Sequence, residues 1–89
     1  MTFSVRWPDG TQHRFYSPSL VVKEHLEVGT SYAVPDFTER CRTALTIASD
    51  RVQVKFGFPC SAAAASLAHI EQLARSQDGL VTVERFAHE

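Results

Sequence analysis

Residues 3–16 read Phe3-Ser4-Val5-Arg6-Trp7-Pro8-Asp9-Gly10-Thr11-Gln12-His13-Arg14-Phe15-Tyr16, the signature of a β-hairpin. Phe3, Val5 and Trp7 alternate with Ser4 and Arg6, which is the two-residue period of a strand with one buried face. Pro8-Asp9-Gly10 then turns the chain: proline suits the first corner of a type I turn, and glycine supplies the left-handed residue of a three-residue hairpin loop with a bulge. Such a turn fixes the register, placing Trp7 opposite Thr11, Val5 opposite His13 and Phe3 opposite Phe15. One face of the hairpin is therefore apolar. Ser4, Arg6, Gln12 and Arg14 occupy the other face, polar and basic, with Tyr16 at its edge.

Beyond the hairpin, Ser17-Pro18-Ser19 starts a short helix, because serine caps helix N-termini and proline is accommodated at the first helical position. This helix is expected to run through Leu26 and stop at Gly29, although by periodicity Leu20-Val21-Val22 also suits a continued strand. Residues 30–34 are extended or looped. Pro35-Asp36 opens the longest helical pattern, in which Phe37, Cys41, Ala44, Leu45, Ala48, Val52 and Phe56 recur at three- and four-residue spacing. Gly57-Phe58-Pro59 breaks it. Cys60-Ser61 opens a second helix with Ala64, Leu67, Ile70 and Ala74 as its stripe, ending near Gln77. Asp78-Gly79 is a turn, Leu80 to Phe86 reads as a third strand, and residues 87–89 as a frayed tail. The order predicts a single α+β domain over residues 1–89. It is a two-layer sandwich: a three-stranded sheet, built from the hairpin and the C-terminal strand, is covered on one face by an antiparallel helical pair, with a short extra helix after the hairpin.

The chain has 89 residues, 44% hydrophobic and 21% charged, a composition that folds rather than staying disordered. A formal net charge of −1 provides no overall field for a polyanion or an anionic membrane, so nucleic-acid and membrane partners are disfavoured. No apolar stretch approaches the roughly 20 residues that span a bilayer, and the N-terminus lacks the basic and apolar regions of a signal peptide; a cytoplasmic setting is expected. Two cysteines, neither in a CxxC pair nor near a histidine at zinc spacing, imply neither a disulfide framework nor a structural metal. Nucleotide-binding glycine motifs are absent, so no cofactor is expected.

Cys60 is the sharpest candidate for reactivity, since a thiol at a helix N-terminus is favoured as thiolate by backbone donors. The apolar run Phe56-Gly57-Phe58-Pro59 before it favours simple packing instead. Cys41 belongs to the apolar stripe of the long helix, and about four turns, on the order of 20 Å, separate it from the hairpin corner, too far for a disulfide with Cys60. His13 falls on the core face, where it is either a partly buried base acting with Cys60 or a satisfied or edge histidine. His25 and His69 read as exposed helix positions and His88 as part of the tail. Asp36 and Glu39 have the spacing of a helix-capping pair rather than of catalytic carboxylates. Arg6, Gln12, Arg14 and Tyr16 form the candidate binding face, for an anion, a peptide strand or, more weakly, nucleic acid through Arg6 and Arg14. The two open edges of a three-stranded sheet also make a homodimer reasonable.

Five blocks, in order, resemble one family. They are Val5-Arg6-Trp7-Pro8-Asp9-Gly10; Tyr16-Ser17-Pro18-Ser19-Leu20-Val21-Val22-Lys23-Glu24; Ala44-Leu45-Thr46-Ile47-Ala48-Ser49-Asp50-Arg51-Val52; Phe56-Gly57-Phe58 with Cys60-Ser61; and Val81-Thr82-Val83-Glu84-Arg85-Phe86. Together they are similar to the small nitrogen-starvation-response proteins first named from mycobacteria. The resemblance implies genes clustered with a nitrilase, a radical-SAM protein and an acetyltransferase. It carries no assigned catalytic or binding residue. With no catalytic constellation in the sequence, the expectation is a non-catalytic accessory or regulatory protein of a bacterial nitrogen-limitation response. It would bind a protein partner, such as a nitrilase-cluster enzyme, or its own twin. The alternative is a small-ligand-binding protein or small enzyme using Cys60 with His13.

Overall fold

A computed structural model describes residues 1–88 of the chain. Strands β1 (Thr2–Arg6) and β2 (Gln12–Tyr16) form the N-terminal hairpin, with Phe3 opposite Phe15 and Val5 opposite His13, as the alternation predicts. The turn closes with Trp7 N–H donating to Thr11 O (2.8 Å) and Gly10 N–H to Trp7 O (2.9 Å). Gly10 adopts a φ of 89°, a left-handed conformation that β-carbon sterics make unfavourable for other residues.

A 3₁₀ helix (Leu20–Glu24) follows, then a short strand β3 (Ser31–Ala33), helix α1 (Val34–Phe56), helix α2 (Ser61–Ala74) and strand β4 (Leu80–Ala87). All pairings are antiparallel, and the sheet order is β2-β1-β4-β3. The sheet thus has four strands, not the three expected. Ser31–Ala33 is too short to show alternation, and it becomes a strand only because β4 offers it a paired edge from Leu80 to Thr82.

The helices pair antiparallel, as two contacts at opposite ends show: Arg42 donates to Glu71 (2.9 Å) near one end, and Cys60 N–H donates to Ser49 Oγ (3.1 Å) near the other. Phe37, Cys41, Ala44 and Leu45 from α1 and Ala63 and Ile70 from α2 close over Phe3, Val5, Trp7, Phe15, Val81 and Val83 from the sheet side. The 3₁₀ helix adds Val22, with Leu26 beyond it. Burying side chains such as Phe37 or Ile70 contributes about 1.5–3 kcal/mol each.

Several local expectations change. Leu20-Val21-Val22 is a 3₁₀ helix, and its cap is Ser19, whose Oγ accepts from Val21 N–H (3.3 Å). Ser17 is instead fully buried and its hydroxyl donates to Ser19 O (2.8 Å). Asp36 and Glu39 do not cap α1: its N-cap is Ala33, Asp36 pairs with Arg40 (3.1 Å) and Glu39 pairs with Arg42. On α2, Ile70 is buried and Leu67 and Ala74 pack against the core as expected, whereas Ala64 is exposed and Ala63 and Ser66 are buried in addition; the helix stops at Ala74 rather than near Gln77. Ser66 Oγ donates to Tyr16 O (2.8 Å), which holds a serine on the side facing the sheet. Val52 is only half-buried and Phe56 is exposed, so the core stripe of α1 ends before its last two turns. His25 is half-buried, where an exposed position was expected. At the C-terminus Ala87 pairs with Thr2 rather than fraying, and Glu89 lies outside the described residues.

Candidate functional site

Both helices pack on one face of the sheet, which leaves the opposite face to solvent. β1 contributes Ser4 and Arg6 to it, and β2 contributes Gln12, Arg14 and Tyr16. β4 contributes Glu84 and Arg85 through an irregularity that sequence patterning does not reveal. The β1–β4 register shifts between Ser4 and Val5, so that Ser4 pairs with Arg85 while Val5 pairs with Val83, and Glu84 is the extra residue of a β-bulge. A bulge places two successive side chains on the same side of a sheet. Val83 and Phe86 therefore pack toward the core, while Glu84 and Arg85 both face outward.

Glu84 organises the middle of this face. Its Oε2 accepts from Arg6 Nε (3.2 Å) and its Oε1 from Gln12 Nε2 (2.8 Å). The Arg6–Glu84 pair is half-exposed and contributes about 0–1 kcal/mol to stability, so its effect is to orient Arg6 and cancel one positive charge. Arg14 and Arg85 have no ion-pair partner among the described residues. With Ser4, Gln12, His13 and Glu84 they line an open basin of about 630 Å³. Two guanidinium groups line the basin, and its one carboxylate is already paired with Arg6 beside it, which makes the basin an anion-attracting surface on a chain whose net charge is −1.

A second cleft, of about 530 Å³, lies between the start of α1 and the end of α2. Its charges largely satisfy one another, since Arg42 pairs with both Glu39 and Glu71. Charge, rather than size, distinguishes the sheet basin.

The structure brings Arg6, Gln12 and Arg14 together, with Tyr16, 43% exposed, at the end of the same strand. It does not bring Cys60 and His13 together. His13 stacks on Phe15 (ring centroids 6.1 Å apart) and meets His69 of α2 edge-on at 5.5 Å. His69 lies more than two turns, on the order of 13 Å, along α2 from Cys60. Cys60 is the N-cap of α2, where its Sγ accepts from Ala63 N–H (3.4 Å), a structural role. Cys41 is fully buried, and burial pushes its thiol pKa up. Both cysteines are free. His13 Nδ1 and Trp7 Nε1 are buried without a hydrogen-bond partner among the described residues. Among the described residues no group of three or more His, Cys, Asp or Glu side chains is placed to hold a metal ion, and no helix is long and apolar enough to cross a membrane.

Arg85, the neighbour of Ser4, and Glu84, the partner of Arg6 and Gln12, join this face without any signal in the sequence. Both sit in a β-branched run that reads as a strand, but their place beside β1 depends on strand order. No curated protein and no solved structure matches the chain. One family does match, described as nitrogen starvation-induced protein NitG, over residues 2–86. That span takes in every strand and helix but the last residue of β4, together with the whole sheet face, and the chain belongs to the NitG family of nitrogen starvation-induced proteins.

Proposed function

We propose that this protein is a non-catalytic accessory or regulatory component of a bacterial nitrogen-limitation response, acting in the cytoplasm by binding a partner protein through the outer face of its sheet. The observation that supports the reading is the pair of guanidinium groups, Arg14 and Arg85, without an ion-pair partner among the described residues and flanking an open basin. Charges left uncompensated on an exposed sheet face steer association and select an acidic partner. Membership of a nitrogen starvation-induced family supplies the setting. Enzymes encoded with a nitrilase are the first partners to examine. The separation of Cys60 from His13 weighs against a thiol–imidazole enzyme, which needs the two groups within hydrogen-bond reach.

The test is affinity purification of the tagged protein from nitrogen-limited cells, in parallel with the doubly reversed variant Arg14→Glu/Arg85→Glu. A partner recovered in fixed ratio with the parent protein and lost from the variant is the expected result. Recovery of the same partner by both proteins, or of no partner by either, overturns the assignment. Sedimentation of the purified protein shows whether that partner is a second copy of the chain.

A further inference from the structure

The hairpin's hydrogen-bond phase shows how a partner would be held. Trp7 N–H bonds to Thr11 O, Ser17 N–H to Met1 O (2.9 Å) and the Met1 amino group to Ser17 O (3.0 Å). In an antiparallel pair, hydrogen-bonded and non-hydrogen-bonded positions alternate. The bonded positions of β2 are therefore the odd residues His13 and Phe15, and the N–H and C=O groups of Gln12, Arg14 and Tyr16 point away from β1, out of the sheet. Of these, Tyr16 O is taken by Ser66 Oγ. The N–H groups of Gln12, Arg14 and Tyr16 and the carbonyls of Gln12 and Arg14 have no partner among the described residues. Strand β3, at the other edge, has three residues and passes directly into α1, so β2 is the longer free edge.

We propose that β2 is a strand-addition site for an extended, acidic segment of a partner protein, which joins the sheet antiparallel or parallel beyond β2 as a fifth strand. This rests on the reading above that the outer face binds a partner, and it adds the mode and the chemistry. An added strand takes its affinity from main-chain hydrogen bonds and its specificity from alternate side chains. On the outer face, one side chain of that strand lies beside Arg14, and Arg85, further in on the same basin, adds attraction of the same sign. A carboxylate there is complementary. A second copy of this chain is not: the two-fold pairing of two β2 edges centred on Arg14, which makes the most hydrogen bonds, sets guanidinium against guanidinium, and like charges directly opposite one another destabilise a sheet. On the inner face, the added strand's other side chains lie beside half-buried His13 and exposed His69, a place for apolar residues. The recognised pattern is thus alternating carboxylate and apolar residues.

The experiment titrates the full chain, by amide NMR, with a synthetic blocked peptide of alternating valine and glutamate, and with its valine–lysine counterpart. The glutamate peptide is expected to bind at least about tenfold more tightly, with slowed hydrogen exchange at the Gln12, Arg14 and Tyr16 amides. Arg14→Glu is expected to weaken it about tenfold or more through charge, and Gln12→Pro to weaken it through loss of one outward N–H that the β1 ladder does not use. Should Gln12→Pro unfold the protein, a glutamate peptide N-methylated on alternate residues removes the reciprocal bonds, those its own N–H groups donate to the Gln12 and Arg14 carbonyls, and is expected not to bind. No binding of the glutamate peptide overturns the proposal, as does binding unaffected by Gln12→Pro or N-methylation. If Arg14→Glu still weakens binding in that last case, the face recognises acidic side chains without strand addition. The functional reading then survives while this inference falls.

Discussion

Replacing His13 by phenylalanine should stabilise the protein. His13 lies opposite Val5 on the core side of β2, with its Nδ1 buried and without a partner among the described residues. A buried polar atom left without a hydrogen bond costs about 1–3 kcal/mol relative to its hydrated state. Phenylalanine removes that atom, keeps a flat ring stacked on Phe15 at 6.1 Å and preserves the edge contact with His69 at 5.5 Å. It also favours the extended backbone of a strand. Against this stands the larger ring, since overfilling a packed site costs about 1–3 kcal/mol. His13 is half-buried, so the added volume extends toward solvent and the overpacking term falls at or below the bottom of that range. The net expectation is a gain of about 1 kcal/mol, which raises Tm by about 4–8 °C in a domain of this size. Urea unfolding followed by the buried Trp7 measures it, with an unchanged m-value showing that the unfolded reference is the same. A loss of 1 kcal/mol or more would refute the reasoning and mean that Nδ1 is satisfied in solution, by a bound water or by a neighbouring group.

Three further outcomes follow from single contacts. Asp9 accepts from the Thr11 hydroxyl (2.6 Å), from Gln77 Nε2 (2.7 Å) and from the Thr11 N–H (3.0 Å), and these bonds lower its pKa to about 2. A carboxylate depressed in the folded state stabilises fully above its unfolded pKa near 4 and loses that contribution as pH falls toward 2; Asp9→Asn should flatten the decline over that window in an acid-unfolding curve. Thiol titration of the native protein should find Cys60 accessible and Cys41 silent until denaturant is added, because Cys41 is fully buried and Cys60 half-exposed; equal rates would contradict the packing of α1. Gly57 terminates α1 with φ of 87° and its N–H on Gln53 O (2.8 Å), with open space where a β-carbon would project, so Gly57→Ala should cost about 1 kcal/mol from backbone strain alone, measured as a lowered urea midpoint.

Much of the scaffold was legible locally. The hairpin register followed from alternation and a Pro-Asp-Gly turn, because both act over a few residues. The long helix and its buried Phe37, Cys41, Ala44, Leu45 and Ala48 followed from the 3.6-residue period. The period failed where polar side chains took core positions. Ser66 faces the sheet because its hydroxyl finds Tyr16 O, and it shares the core side of α2 with Leu67, Ile70 and Ala74. Asp36 and Glu39 had the spacing of a cap, but Arg40 and Arg42 within the same helix offered them charge partners. Neither competition appears in a hydrophobic pattern.

The candidate site divides the same way. Sequence alone put Arg6, Gln12 and Arg14 on one polar face, since side chains on one strand alternate strictly and a hairpin's register follows from its turn. It could not supply Glu84 and Arg85, because antiparallel neighbours distant in the chain are chosen by how the helical pair covers the sheet, and a bulge is an adjustment between two particular strands. The fourth strand has the same origin: Ser31–Ala33 has no strand character of its own and acquires it from β4. Local periodicities decided which residues share a face, whereas strand order, bulge and edge, and hence which charges remain uncompensated, were settled only by tertiary packing.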